Sequence, residues 1–177
     1  MGFVAVLALM MCAPASARQW RTTPEAAARD YLMILDERSE SDLAAVWWIA
    51  PQMLPARADS ETARKQLGQY LIIAAVHMHL SDTGTASFEA TSDPELTIAS
   101  GPSPTRIEES SLPPVVQGNL TALQGVFLQI LGPLGNGMKL FVFGGSAIDS
   151  CGNGVLSVSY EGEKYTYEMP IPGCPSP

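Results

Sequence analysis

The sequence has few of the groups that grip phosphate. Only 10 of its 177 residues are Lys or Arg, against 18 Asp or Glu, leaving a net charge of −8. A nucleic-acid surface needs a basic stripe to displace counterions, and anionic lipid asks for the same. Both partners are therefore excluded as expectations. Charged residues make up 16% of the chain and apolar ones 46%, enough to bury a core and to argue against disorder. Histidine occurs twice, at His77 and His79, and cysteine three times. There is no Cys-x-x-Cys, no Gly-rich phosphate loop, and no G-x-S-x-G elbow around Ser146 after Gly144-Gly145. Carboxylate pairs such as Glu108-Glu109 have no spacing that implies acid–base work. No cofactor is implied.

What is present first is an export grammar. Gly2 to Pro14 carry no charge and are mostly apolar, and Ala15-Ser16-Ala17 follows as a small-x-small pattern. These features predict a signal peptide over 1–17, cut after Ala17, although no Lys or Arg precedes the apolar run. The run is too short for a span of about 20 residues. Met11 before Cys12 is bulky where a lipidation signal is small. The remainder, 18–177, is expected to be one periplasmic or secreted domain. Its charge is uneven: residues 18–80 hold 7 basic and 8 acidic side chains, residues 81–177 hold 3 and 10. The acidic part favours a cationic partner or serves as a solubilising surface.

Cys151 and Cys174 remain after the leader, and two cysteines in an exported chain predict one disulfide. Between them, Leu156, Val158, Tyr160 and then Tyr165, Tyr167, Met169 recur at every second position, the pattern of two strands. A Gly162-Glu163 loop fits a type II′ turn. Paired numbers would then sum to 325, so that Tyr160 faces Tyr165, Val158 faces Tyr167, Leu156 faces Met169 and Glu161 faces Lys164. Cys151 and Cys174 have the same sum. Pro170 and Pro172 are expected to end the ladder near Glu168.

Upstream the signals read as helical. Thr22 with Glu25 can form a capping box, and Ala27, Tyr31, Ile34 and Leu35 make one stripe. A second helix is expected from Ser41 or Asp42, with Leu43, Val46, Trp47 and Ala50 on one face and Pro51 as its stop. A third is capped by Asp59 or Ser60, with Ala63, Leu67, Tyr70, Leu71 and Ala74 apolar. Leu71 to Leu80 is compatible with a buried helix or a buried strand. Thr85–Thr91 and Glu95–Ala99 read as strands around a turn at Ser92-Asp93-Pro94. The four prolines of 101–118 predict a long loop, either a lid or a connection. Asn119 caps a fourth helix carrying Leu120, Leu123, Phe127, Ile130, Leu131 and Leu134, ended by Gly132-Pro133. Residues 110–138 contain no charge, but their prolines, glycines and glutamines argue against a membrane span. Lys139–Phe143 is a short strand.

Four places carry possible chemistry. On a strand, His77 and His79 share a face and could give a metal two ligands, with Asp82 or Glu89 as a third. Met78 would suit copper(I), though it points the other way. Trp48, beside Trp47, could stack on a ligand. Tyr160, Tyr165 and Tyr167 form a strip that is core if covered and a binding surface if bare. Asn119-Leu120-Thr121 matches a glycosylation sequon, relevant only in a eukaryotic secretory pathway.

Residues 24–54 resemble the opening of the nuclear-transport-factor-2-like superfamily. They run Pro-Glu-Ala-Ala-Ala to Leu35-Asp36, through an acidic break, to Asp42-Leu43-Ala44-Ala45-Val46-Trp47-Trp48 and a proline. The resemblance covers about a fifth of the chain. It implies N-terminal helices cradled by a curved antiparallel sheet around a pocket. The helix at 119–131 and the proline stretch before it depart from that family's order, and no catalytic residue transfers. The expectation is an acidic α+β protein with N-terminal helices packed on an antiparallel sheet and a C-terminal disulfide-closed β-hairpin. Its expected function is non-enzymatic binding of an unknown protein or small ligand. The alternatives are a small pocket enzyme, hydrolase or isomerase, and metal handling through His77 and His79.

Overall fold

The computed structural model describes residues 33–50, 58–89, 92–99, 101–144, 148–171 and 174. The leader, Cys12, the helix start at 22–25, Pro51 and Ser146 lie outside them.

The two helices expected over 24–50 are not what the described part forms. Met33–Ser39 is strand β1 and Asp42–Trp48 is strand β2, joined by a two-residue turn and paired antiparallel from Met33↔Trp47 to Ser39↔Asp42. The helix that the family resemblance carries to Leu35-Asp36 is thus a strand from Met33 onward. For β2 the reason is burial: Ala44 to Trp48 are buried without interruption. A continuous apolar run satisfies a helical stripe and a strand buried on both faces equally well.

Helix α1 spans Ala58–Leu67, then Leu71–Leu80 resolves as strand β3 rather than a continuing helix. One edge of β3 pairs β2 from Trp48↔Ile73 to Asp42↔His79. Its other edge is shared. Residues 78–80 take strand β4 (Ala86–Phe88). Residues 71–75 take strand β7 (Lys139–Gly144). Strand β5 (Glu95–Ile98) does not pair with β4; it joins a different sheet.

The proline-rich stretch 101–118 is not one long loop. It holds strand β6 (Thr105–Ile107), a 3-10 turn at Glu109–Ser111, and the first turn of helix α2, Pro114–Leu131. Pro114 sits at the first helical position, where its missing N–H costs nothing, so the helix starts there and not at Asn119. Gly132, at φ +57, ends it before the short helix α3 (Pro133–Gly137). Val116, Leu120 and Phe127 are buried, whereas Ile130, expected on the same stripe, is exposed.

Strands β8 (Gly154–Tyr160) and β9 (Glu163–Met169) form the expected hairpin, but with a different turn. Glu161 (φ 49) and Gly162 (φ 82) are the two loop residues, and Tyr160 pairs Glu163. Positive φ at both positions is the type I′ pattern, which matches strand twist. The register therefore moves by two: Val158 faces Tyr165, Leu156 faces Tyr167, and Lys164 faces Ser159 instead of Glu161. An even shift keeps every side chain on its expected face. The ladder runs to Met169, and beyond it Cys151 and Cys174 are joined, with Cα atoms 5.3 Å apart.

The result is α+β with three layers. A six-stranded antiparallel sheet, in the order β1-β2-β3-β7-β6 with β4 beside β3, forms the middle. Trp47 packs on Phe127 of α2 at 5.2 Å between ring centroids. Trp48, on the opposite face, meets Tyr167 edge-on at 5.8 Å. The middle sheet therefore has the helix on one side and the three-stranded sheet β5-β8-β9 on the other. Among the described residues no helix is long and apolar enough to cross a membrane.

Candidate functional site

Layering settles several proposed sites against exposure. Tyr160, Tyr165 and Tyr167 are all buried, because their face of the hairpin lies on the middle sheet. Tyr167 Oη donates to the Val46 carbonyl at 3.0 Å, and burial pushes its hydroxyl far above the usual range. Trp48 is 2% exposed and is a core residue with no face open to a ligand. Neither the tyrosine strip nor Trp48 offers a binding surface.

His77 and His79 do share the face of β3 that looks toward the second sheet. They do not form a pair of vacant ligands. His77 Nε2 lies 2.5 Å from Asp42 Oδ1, and its Nδ1 lies 3.2 Å from Glu89 Oε2. Both nitrogens face acceptors, so the ring is already occupied. Glu89 is there because its backbone N–H continues the β4 ladder onto the His77 carbonyl. Among the described residues no group of three or more His, Cys, Asp or Glu is arranged to hold a metal.

Around His77 is a polar seam between the sheets. Arg38 donates to the Glu161 carbonyl at 2.8 Å and to Tyr165 Oη at 3.2 Å, and Tyr165 Oη donates to Asp36 at 2.9 Å. Burial works against the Arg38 charge, but Tyr165, Asp36 and Asp42 raise its pKa above the ordinary value. Burial, the largest influence on Tyr165, raises its pKa, with Arg38 opposing. The Glu161 carboxylate accepts from both the backbone N–H and the hydroxyl of Ser92, each at 2.9 Å. The Ser92 N–H, the largest influence, holds that carboxyl below its usual range; burial opposes, and the Ser92 hydroxyl, His77 and Arg38 assist.

A depressed carboxyl stabilises the fold above its unfolded pKa of about 4.3 and loses that contribution as pH falls through the folded value. Wild type should therefore exceed Glu161→Gln in urea midpoint at pH 6, and the gap should narrow steadily as the pH is taken below about 4. A gap that stays constant across this range would show that Glu161 acts through its shape and not its charge.

A concavity of about 890 Å³ lies along the outer edge of the middle sheet. That falls within the usual range for ligand sites, about 300–1,000 Å³. Its floor is Lys139, Leu140 and Phe141 of β7 with Phe88 and Glu89 at the end of β4. Leu120, Thr121 and Gln124 of α2 with Asn136 and Gly137 form one wall; Asp93, Arg106 and Glu109 form the other. Arg106 is held rigidly. It donates to the carbonyls of Ile107 and Val142, faces Asp93 at 3.5 Å, and lies over the rings of Phe141 (5.2 Å) and Phe143 (5.8 Å). Gln124 donates to the carbonyls of Met138 (2.6 Å) and Gly135 (3.3 Å), fixing the helical wall to the start of β7.

One segment ties slot and seam together. Along the connection from β4 to β5, Glu89 holds His77, Ser92 holds Glu161 and Asp93 holds Arg106. Of these residues only His77 and Glu89 were candidates in the sequence. Arg106 carried a usable signal, as one of only three basic residues after position 80, set among prolines and acids. No family model, curated protein or solved structure matches the chain.

Proposed function

We propose that this is an exported, non-enzymatic binding protein whose ligand occupies the slot between β7, β4, α2 and Arg106. The observation that carries the reading is the slot's wall. Arg106 is immobilised by two carbonyls, one carboxylate and two rings, yet it still borders open space. A side chain so ordered has already lost the rotamer freedom that binding would otherwise cost. The mixture of Phe88, Leu120 and Leu140 with a few placed polar groups is the usual make-up of a ligand site.

His77 does not favour the enzyme alternative, because it is absent from the slot lining and both its nitrogens are engaged. Export is supported by the Cys151–Cys174 bond, which suits an oxidising compartment, and by the leader pattern over 1–17.

The test is native mass spectrometry and amide chemical-shift mapping of protein recovered from the exporting compartment, beside Thr121→Trp. Thr121 is an exposed wall residue, so its replacement should leave the melting temperature within about 2 °C while filling the slot. Wild type should carry a copurified ligand, or show shifts at 139–141 with a soluble fragment set, and the variant neither. Ligand-induced shifts that persist in Thr121→Trp would place binding elsewhere.

A further inference from the structure

The slot is more than a hollow: it is a missing stretch of strand. Strand β3 is covered on one edge by β2, so β4 and β7 must both lie on its other edge, end to end in a single row. Strand β6 begins the next row but covers only 142–144 of β7. Past Ile107 the chain leaves that row for the 3-10 turn at Glu109–Ser111. Among the described residues nothing then pairs with the outer edges of 139–141 or 86–88. Along β3, from Ile73 opposite Phe141 to Leu80 opposite Ala86, the vacant row spans eight positions, or about 26 Å.

We infer that the ligand of this site is an extended peptide that adds to the middle sheet as a strand, in line with β6. The inference rests on the slot reading above and narrows it to one ligand class. An exposed sheet edge offers backbone donors and acceptors in a fixed register, and alternate residues of the added strand point to opposite faces. Here the two faces differ. One set of side chains meets Phe88, Leu120, Met138 and Leu140; the other meets the side carrying Arg106, Lys139, Glu109 and Asp93. The matching sequence alternates apolar with polar residues. Arg106 and Lys139 line the slot beside Glu89, Asp93 and Glu109, so the polar positions are not restricted to one sign.

The decisive experiment leaves the protein unchanged and alters the peptide backbone. The full chain after leader removal is titrated with a synthetic peptide alternating valine with arginine and threonine. It is then titrated with two N-methylated versions of the same peptide, one methylated at the odd residues and one at the even, because the N–H groups of alternate residues point to opposite edges of a strand. The parent should bind saturably, with amide shifts at 139–141 and 86–89. One of the two methylated versions should bind about tenfold or more weakly, because it loses its ladder donors while keeping its side chains. Equal affinity of both methylated versions and the parent, shifts confined to another surface, or no binding at millimolar peptide would each overturn strand addition. If peptides fail while small fragments still shift 139–141, strand addition falls and the slot reading stands.

Discussion

Trp48→Ala is expected to destabilise the protein by about 4 kcal/mol, within the usual 3–5 kcal/mol for removing a buried large aromatic. Trp48 is 2% exposed and stands between the middle sheet and the β8–β9 hairpin, edge-on to Tyr167. Its loss removes the ring contact and leaves a cavity walled by two stiff sheets, which cannot collapse as a loop would. The neighbouring Tyr167 hydroxyl, which donates to Val46, would be left in a loosened seam. Urea unfolding followed by far-ultraviolet circular dichroism measures the loss. Trp48→Phe should recover more than half of it, since an aromatic edge contact is kept. A cost below about 1 kcal/mol for the alanine variant would mean that the two sheets are not packed as described.

Second in size is the disulfide. Cys151 and Cys174 are separated by 23 residues, and closing such a loop restricts the unfolded chain by about 3.5 kcal/mol in the chain-entropy model. The double variant Cys151→Ser, Cys174→Ser should lose about that much in urea unfolding, as should wild type in excess reductant. Around the bond the native state is otherwise tied down: the Ile171 N–H donates to the Ser150 carbonyl, and Asp149 accepts from the Cys151 N–H. The variant should therefore keep its hairpin while its midpoint falls. Reduction that leaves the midpoint unchanged would show that the unfolded chain is already confined there by residual structure.

The hairpin and its disulfide were legible because a single period and two cysteines were enough to find them. Even there the turn was misplaced by one residue, since Gly162 suits the second position of a type I′ loop as well as the first of a type II′ loop. The helices drawn over 24–50 failed for a different reason. Ala44–Trp48 and Leu71–Val76 are buried on both faces, and a segment without a polar side has no period to read. The prolines of 101–118 looked like a loop, yet Pro114 starts a helix where its geometry is at home. The tyrosine strip was recognised but could not be assigned, because what covers it is 121 residues away in sequence: Val46 under Tyr167. The slot was invisible for a related reason. It is defined by where β6 stops beside β7 and where β4 lies beside β3, facts of long-range pairing that leave no local mark.

Trp47 and Trp48 are adjacent in sequence, yet one supports the helical layer and the other the small sheet. A strand that serves as the inside of two interfaces loses half of its burial when either outer layer leaves. Peeling away α2 would wet one side of β2 and β3, and lifting off the hairpin would wet the other. Neither outer layer has a separate denaturation step open to it, so indole fluorescence and backbone ellipticity should trace one and the same sigmoid.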